Sequence, residues 1–421
     1  MVSLREITAT FSRIGVLSFG GPAAQIALLH REVVDRHGWL RERQFLDALS
    51  FCMLLPGPEA MQLATYVGWR LAGVAGGLIA GLLFVLPGAA VIMALATLYA
   101  FLGDVPFVQA VFTGIKAAVV VIVVEALVKV ARRALLNTDR YVLAGLAFLG
   151  IFFLAVPFPI LIALAGIYGW WRIRPKLVEE PAPTATANPP SPGATLCTVV
   201  IWLAVWWLPV AGLWLMAPEL LTEIALFFSK LAVVTFGGAY AVLAYMAQDV
   251  VTLKGWLSPG QMMDALGLAE TTPGPLILVT QFVGFVAGFG AGGWASGAFA
   301  AAVTLWVTFV PCFLWIFASA PYIDRLATLP RLRGVLDAIT AAVVGVILNL
   351  SVWFALHVFF ADVARHDLGA LVLWVPDPAT LDLRVVALCT GSAVLLWRGW
   401  SVAAILGTIA AVAALMHFIG V

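Results

Sequence analysis

Two short motifs in this chain join residues that break helices to residues that bare the backbone. Pro56-Gly57-Pro58 and Pro273-Gly274-Pro275 each set two prolines around a glycine inside an apolar stretch. Proline removes a backbone donor and clashes with the preceding turn, so neither run continues an α-helix. Phe19-Gly20-Gly21 and Phe236-Gly237-Gly238 form the second pair. Adjacent glycines let the chain turn and let a ligand approach bare N–H groups. Pro22 follows the first pair, and proline suits the first turn of a new helix. A half-helix starting there directs its positive end at the break, which favours an anion. The alternatives are close packing through small residues for the glycines and a structural kink for the prolines.

Charged residues near these motifs are the next candidates. Arg13 and Lys230 each stand seven residues before a Gly-Gly pair, behind Phe-Ser. A charge inside a bilayer is costly and points to function; the other reading is a base that snorkels to the interface. Lys116 and Glu125 share one apolar segment, and Thr340 and Asn349 stand at the matching places later in the chain. They either bind a coupling ion or pair with other helices. Asp47 and Asp264 match each other and either join that coupling role or cap a helix beside a Gly-Trp-Leu turn. Glu59 and Glu270 flank the proline motifs and either carry a proton, repel the wrong anion or serve structure alone. Cys52, Cys197, Cys312 and Cys389 are far apart and read as small core residues. No group has metal-ligand spacing, so neither a metal nor a cofactor is expected.

The elements that must position these residues follow from composition. The chain has 421 residues, 63% hydrophobic and 11% charged, against norms of about 45–50% and about 25%. No charge interrupts the 33 residues between Arg70 and Asp104, nor the 53 between Glu270 and Asp324. A bilayer crossing needs about 20 apolar residues, so the chain is a polytopic membrane protein. That excludes a cytosolic enzyme and a secreted disulfide scaffold, and the net charge of +1 argues against a nucleic-acid partner. No clean apolar run precedes a small-residue cleavage site at the start, so no cleaved signal is expected. Without clustered histidines, cysteines or acid pairs, an enzyme is not expected either.

The chain repeats itself. Displaced by 217, residues 11–58 fall on 228–275 without a gap, with 20 identities in 48 positions. Further on the displacement is 224: Pro87 meets Pro311, and Ala117-Ala118-Val119-Val120 meets Ala341-Ala342-Val343-Val344. Composition bias cannot place tryptophans, prolines and charges in register, so this is a duplication. The expected organisation is a first repeat at 1–171, a flexible cytoplasmic linker at 172–194, a connecting transmembrane helix at 195–217 and a second repeat at 218–421. The linker reading rests on Pro181-Ala182-Pro183 and Pro189-Pro190-Ser191-Pro192.

Loop charges set the orientation. Loop 30–43 holds Arg31, Arg36, Arg41 and Arg43, whereas its copy at 247–260 holds only Lys254, with Asp249. By the positive-inside rule the first is cytoplasmic and the second is not. Asp104 against Arg325, Arg331 and Arg333, and Lys129, Arg132, Arg133 and Arg140 against an acidic stretch at 362–382, reverse in the same sense. The expected fold is therefore all-α, with two inverted-topology repeats around a pseudo-two-fold axis in the membrane plane. If 141–171 is a hairpin of two short crossings, segments 5–29 and 222–246 are re-entrant, with tips at the glycine pairs; if it crosses once, they span.

Leu17-Ser18-Phe19-Gly20-Gly21-Pro22, Gly38-Trp39-Leu40 and Leu55-Pro56-Gly57-Pro58 resemble the signature of the chromate ion transporter family. Thr235-Phe236-Gly237-Gly238, Gly255-Trp256-Leu257 and Thr272-Pro273-Gly274-Pro275 resemble the same domain again, as in the long two-domain form. The resemblance implies a multi-pass protein of the bacterial inner membrane that exports chromate and confers resistance, with sulfate as an isosteric competitor. It also implies that the glycine pairs and Pro-Gly-Pro runs are its functional motifs. Pro22 against Ala239, and Glu59 against Leu276, are departures between the copies. The residues themselves fit a tetrahedral dianion and leave open chromate or sulfate, export or import, and transporter or passive anion channel. No P-loop pattern is present, so the energy source is an ion gradient, the membrane potential or exchange. Expected partners are the oxyanion, the bilayer and, as an option, a second copy in a homodimer.

Overall fold

The computed structural model describes residues 2–103, 105–172, 191–216, 218–236, 239–323, 330–369 and 371–419. Asp104, Arg325, Gly237, Gly238 and most of the proline-rich linker lie outside the described residues. The chain is an all-α polytopic membrane protein. Among the described residues, five helical stretches are long and apolar enough to cross a bilayer: Glu59–Leu102, Pro106–Ala134, Pro192–Met216, Leu276–Tyr322 and Gly334–Phe359.

The same series of elements occurs twice. In the first half, α1 (Leu4–Leu17) and α2 (Gly21–His30) are followed by a π turn at Arg31–Arg36. Then come α3 (Glu42–Cys52), α4 (Glu59–Leu102), α5 (Pro106–Ala134), α6 (Thr138–Leu154) and α7 (Phe158–Arg172). Helix α8 (Pro192–Met216) follows. The second half runs through α9 (Glu219–Val234), α10 (Ala239–Gln248), a π turn at Asp249–Leu253 and α11 (Pro259–Thr271). It ends with α12 (Val279–Ser319), α13 (Pro330–Phe359), α14 (Leu383–Trp397) and α15 (Val402–Phe418). The two π turns, wider than an α-turn and uncommon in proteins, stand at matching places.

A straight α4 of 44 residues would run about 66 Å, twice the ~30 Å of a hydrocarbon core. It does not run straight. Ala72 and Gly73 leave the helical region, and the chain folds back so that a Cβ on Gly76 would stand 2.2 Å from the Gly68 carbonyl oxygen. Helix α12 does the same at Gly292-Gly293, where Gly288 packs on the Ser296 carbonyl and Ala300. Glycine makes both folds: the turn needs its positive φ, and the close antiparallel contact needs its missing side chain.

The all-α expectation needs one addition. Residues Val363–Leu368 (β1) and Leu371–Pro376 (β2) form an antiparallel hairpin, with Val363 opposite Pro376 and Leu368 opposite Leu371. It lies between α13 and α14. The first half has only residues 135–137 at the matching place, between α5 and α6. Alternating Val, Leu and Trp in 371–375 suit a pleated strand.

The chain divides into two compact units. One comprises Met1–Ala94, Arg174–Ala239 and Thr272–Arg333; the other comprises Leu95–Ile173, Tyr240–Thr271 and Gly334–Val421. Each draws on both halves of the sequence. In the first, α8 is pinned by Trp206, whose Nε1 donates to Ser229 Oγ at 3.1 Å, and by Trp202, stacked on Phe313. In the second, α5 packs against α14 and α15. Gly114 admits the Ile409 carbonyl of α15, and the Cys389 thiol of α14 donates to the Ala117 carbonyl at 3.1 Å.

Candidate functional site

Three of the four predicted helix breaks lie wholly within the described residues. Helix α1 stops at Leu17 and α2 starts at Gly21, with Gly20 as its N-cap at φ +87° and Pro22 in its first turn. Helix α9 stops at Val234 and α10 starts at Ala239. Gly57 and Gly274, at φ +123° and +88°, turn the chain between α3 and α4 and between α11 and α12.

Within the first unit these breaks are crossed. The Gly57 N–H donates to the Thr235 carbonyl at 2.9 Å, and the Gly274 N–H donates to the Ser18 carbonyl at 2.9 Å. Thr235 is the repeat counterpart of Ser18, and Gly274 of Gly57. Each Pro-Gly-Pro is therefore bonded to the residue just before Phe-Gly-Gly of the other copy, which is the exchange a local two-fold relation produces. A second exchange runs beside it. A Cβ on Gly57 would stand 3.0 Å from Cys312 Sγ, and one on Gly274 would stand 3.4 Å from Gly88 Cα. Gly88 and Cys312 are again counterparts, each one residue after a proline inside its long helix.

Glutamines complete the junction. Gln25 Nε2 donates to the Gly274 carbonyl at 2.6 Å and to the Ser18 carbonyl at 3.3 Å. Gln62 Nε2 donates to the Pro56 carbonyl at 2.7 Å, and Gln281 Nε2 to the Ala89 carbonyl at 3.0 Å. With the Gly57 and Gly274 amides occupied, the first turns of α2 and α4 still carry amides that helical geometry leaves without intrahelical partners. Gln62 Oε1, Gln281 Oε1 and Thr308 Oγ1 are buried without a hydrogen-bond partner among the described residues. Each such atom costs about 1–3 kcal/mol unless something polar reaches it.

The predicted charges fall elsewhere. Arg13 is half-exposed on α1, 3.9 Å from the buried Glu32, which also pairs with Arg36 at 3.1 Å. Lys230 is exposed on α9, and Asp47 is exposed on α3. Glu59 is partly buried as the first residue of α4. In the second unit the structure joins Lys116 to Asp264 at 3.0 Å, with the Tyr99 hydroxyl donating to the same carboxylate at 2.8 Å. The buried Glu270 accepts from the Tyr240 hydroxyl at 2.9 Å. Glu125 pairs with Lys129 one turn along α5. Among the described residues no group of His, Cys, Asp and Glu could hold a metal ion. Sequence reasoning passed over Gln25, Gln62, Glu32, Tyr99 and Tyr240. The two glutamines carried a signal: polar amides in apolar runs, within eight residues of a break.

The family described as "Chromate transporter" matches residues 5–170 and 222–416, one match per repeat. A "Chromate transport protein" of Cupriavidus metallidurans is 30% identical over 348 residues, covering 82% of this chain and 81% of that protein. One from Pseudomonas aeruginosa is 33% identical over 355 residues, covering 82% and 80%. A "Probable chromate transport protein" of Synechococcus elongatus is 31% identical over 397 residues, covering 91% and 95%. No solved structure matches the chain. With matches this long in both halves, the chain belongs to the chromate transporter family.

Proposed function

We propose that this protein is a secondary transporter that exports chromate across the bacterial inner membrane and so confers resistance to it. The observation that carries the reading is the reciprocal bond of each Pro-Gly-Pro amide to the other copy's Phe-Gly-Gly segment, in a chain whose relatives are chromate transport proteins. Irregular backbone at membrane depth is tolerated where it is buried in protein or lines a wet cavity. The oxyanion sits at these breaks, held by first-turn amides of α2 and α4, with sulfate as competitor. The domain scheme goes with this: repeats 1–171 and 218–421 in inverted orientation, joined by the cytoplasmic linker 172–194 and the crossing 195–217.

Cells carrying the protein should accumulate less chromate than cells without it, and excess sulfate should narrow the difference. Equal accumulation removes the chromate assignment. Arg13→Gln and Lys230→Gln should each lower transport several-fold at unchanged membrane level, because each removes a base that attracts the dianion to its half of the site. Full transport by both variants would confine these side chains to the interface.

A further inference from the structure

The second unit contains a cavity that the crossed breaks do not use. It measures about 20 Å³, above the ~10–15 Å³ that holds one water-sized atom. Asn349 of α13 lines it at 7% exposure, and among the described residues its carboxamide has no hydrogen-bond partner. The Gln248 carboxamide, likewise without a partner among them, lines it from the end of α10. The exposed Arg365 of β1 stands where it meets the surface, its guanidinium 5.8 Å from the Trp374 ring of β2. Asp367 takes Arg365 Nε at 3.0 Å, which leaves the two Nη groups. Ala155, also lining, is the only non-glycine residue at positive φ among the described ones. Backbone held in a sparsely populated region is concentrated at ligand sites.

We propose that this cavity is an accessory oxyanion site, one anion oxygen on the Asn349 and Gln248 amides and the rest under the Arg365 guanidinium. Neutral donors at the closed end and a cation at the mouth suit a small anion. The site exists once. The counterpart of Asn349 is Glu125, whose charge would repel an anion, and the first repeat has no hairpin to carry an arginine there. That the anion is the free, transported one rests on the transport reading; the phosphate of a lipid head group offers the same chemistry.

The test uses the full chain in detergent, labelled with 5-fluorotryptophan, with the Trp374 resonance identified by Trp374→Phe. Sodium sulfate at constant ionic strength should move that resonance. Arg365→Gln and Asn349→Asp should each require about tenfold more sulfate or above, the weight of one charge-assisted hydrogen bond. Movement with phosphatidylglycerol and not with sulfate keeps the oxyanion site and gives it to a lipid phosphate. No movement with either overturns the proposal. Sulfate binding here without chromate flux would sink the transport reading alone, and flux without movement would sink this site alone.

Discussion

Leucine in place of Gly57 or Gly274 is expected to abolish transport while the protein still reaches the membrane. Both glycines hold positive φ, which costs an L-residue about 1–2 kcal/mol. Both are also packed. At position 57 a Cβ would meet Gln62 Nε2 at 2.8 Å and Cys312 Sγ at 3.0 Å; at 274 it would meet Leu278 Cδ1 at 2.9 Å. Overpacking adds about 1–3 kcal/mol, and the backbone shift that relieves it pulls the amide from the Thr235 or Ser18 carbonyl. Gly38→Ala and Gly255→Ala are the controls. These glycines share φ +61° and have nothing within 4 Å of an added Cβ, so alanine there carries strain alone and should leave most transport intact. Chromate uptake into inverted vesicles, normalised to protein level, measures both. Wild-type rates for Gly57→Leu would show that the crossed bonds are incidental.

Removing one partner of the Lys116–Asp264 pair is expected to be the most destabilising single change among the charged residues. Asp264 is 6% exposed, 3.0 Å from Lys116 Nζ and 2.8 Å from the Tyr99 hydroxyl. Lys116→Met leaves that carboxylate with one neutral donor, and breaking a buried pair costs about 3–5 kcal/mol. Lys116→Met with Asp264→Leu should recover most of the loss, because two apolar residues leave no buried charge unpaired. Thermal unfolding in detergent reads the difference. A single variant as stable as the wild type would show that the pair carries no weight. The pair occurs once, since Thr340 matches Lys116 and Asp47, the match of Asp264, is exposed.

The positions of the breaks were legible in the sequence, and their partners were not. Proline and glycine act on the backbone wherever they stand, so Pro56-Gly57-Pro58 announces a turn without any tertiary information. That the Gly57 amide meets Thr235 is a property of packing between distant segments, and an alignment of two copies gives positions only. The folds at Ala72-Gly73 and Gly292-Gly293 were hidden for a related reason. Helices apolar on every side show no periodic stripe, so a 44-residue run looks like one long crossing. Only the glycines at 68, 73 and 76 hinted at a close antiparallel turn. Arg13 and Lys230 stand among apolar neighbours, a context that leaves both a functional charge inside the bilayer and a base snorkelling to the interface open. In lipid-facing helices apolar neighbours say little about burial, and Arg13 is half-exposed beside Glu32. The β-hairpin was missed because the acidic stretch 362–382 was weighed for its charge and not for its alternation.

Sidedness decides whether two antiparallel copies face each other through their interrupted helices. Arg41 and Ser258 are exposed counterparts in the loops before α3 and α11. Of the native cysteines only Cys197 is exposed, so Cys197→Ser clears the background for Arg41→Cys and Ser258→Cys. With a membrane-impermeant maleimide on sealed right-side-out and inverted vesicles, position 41 should label from the cytoplasmic face only and position 258 from the opposite face only. Labelling of both from one face would contradict the claim.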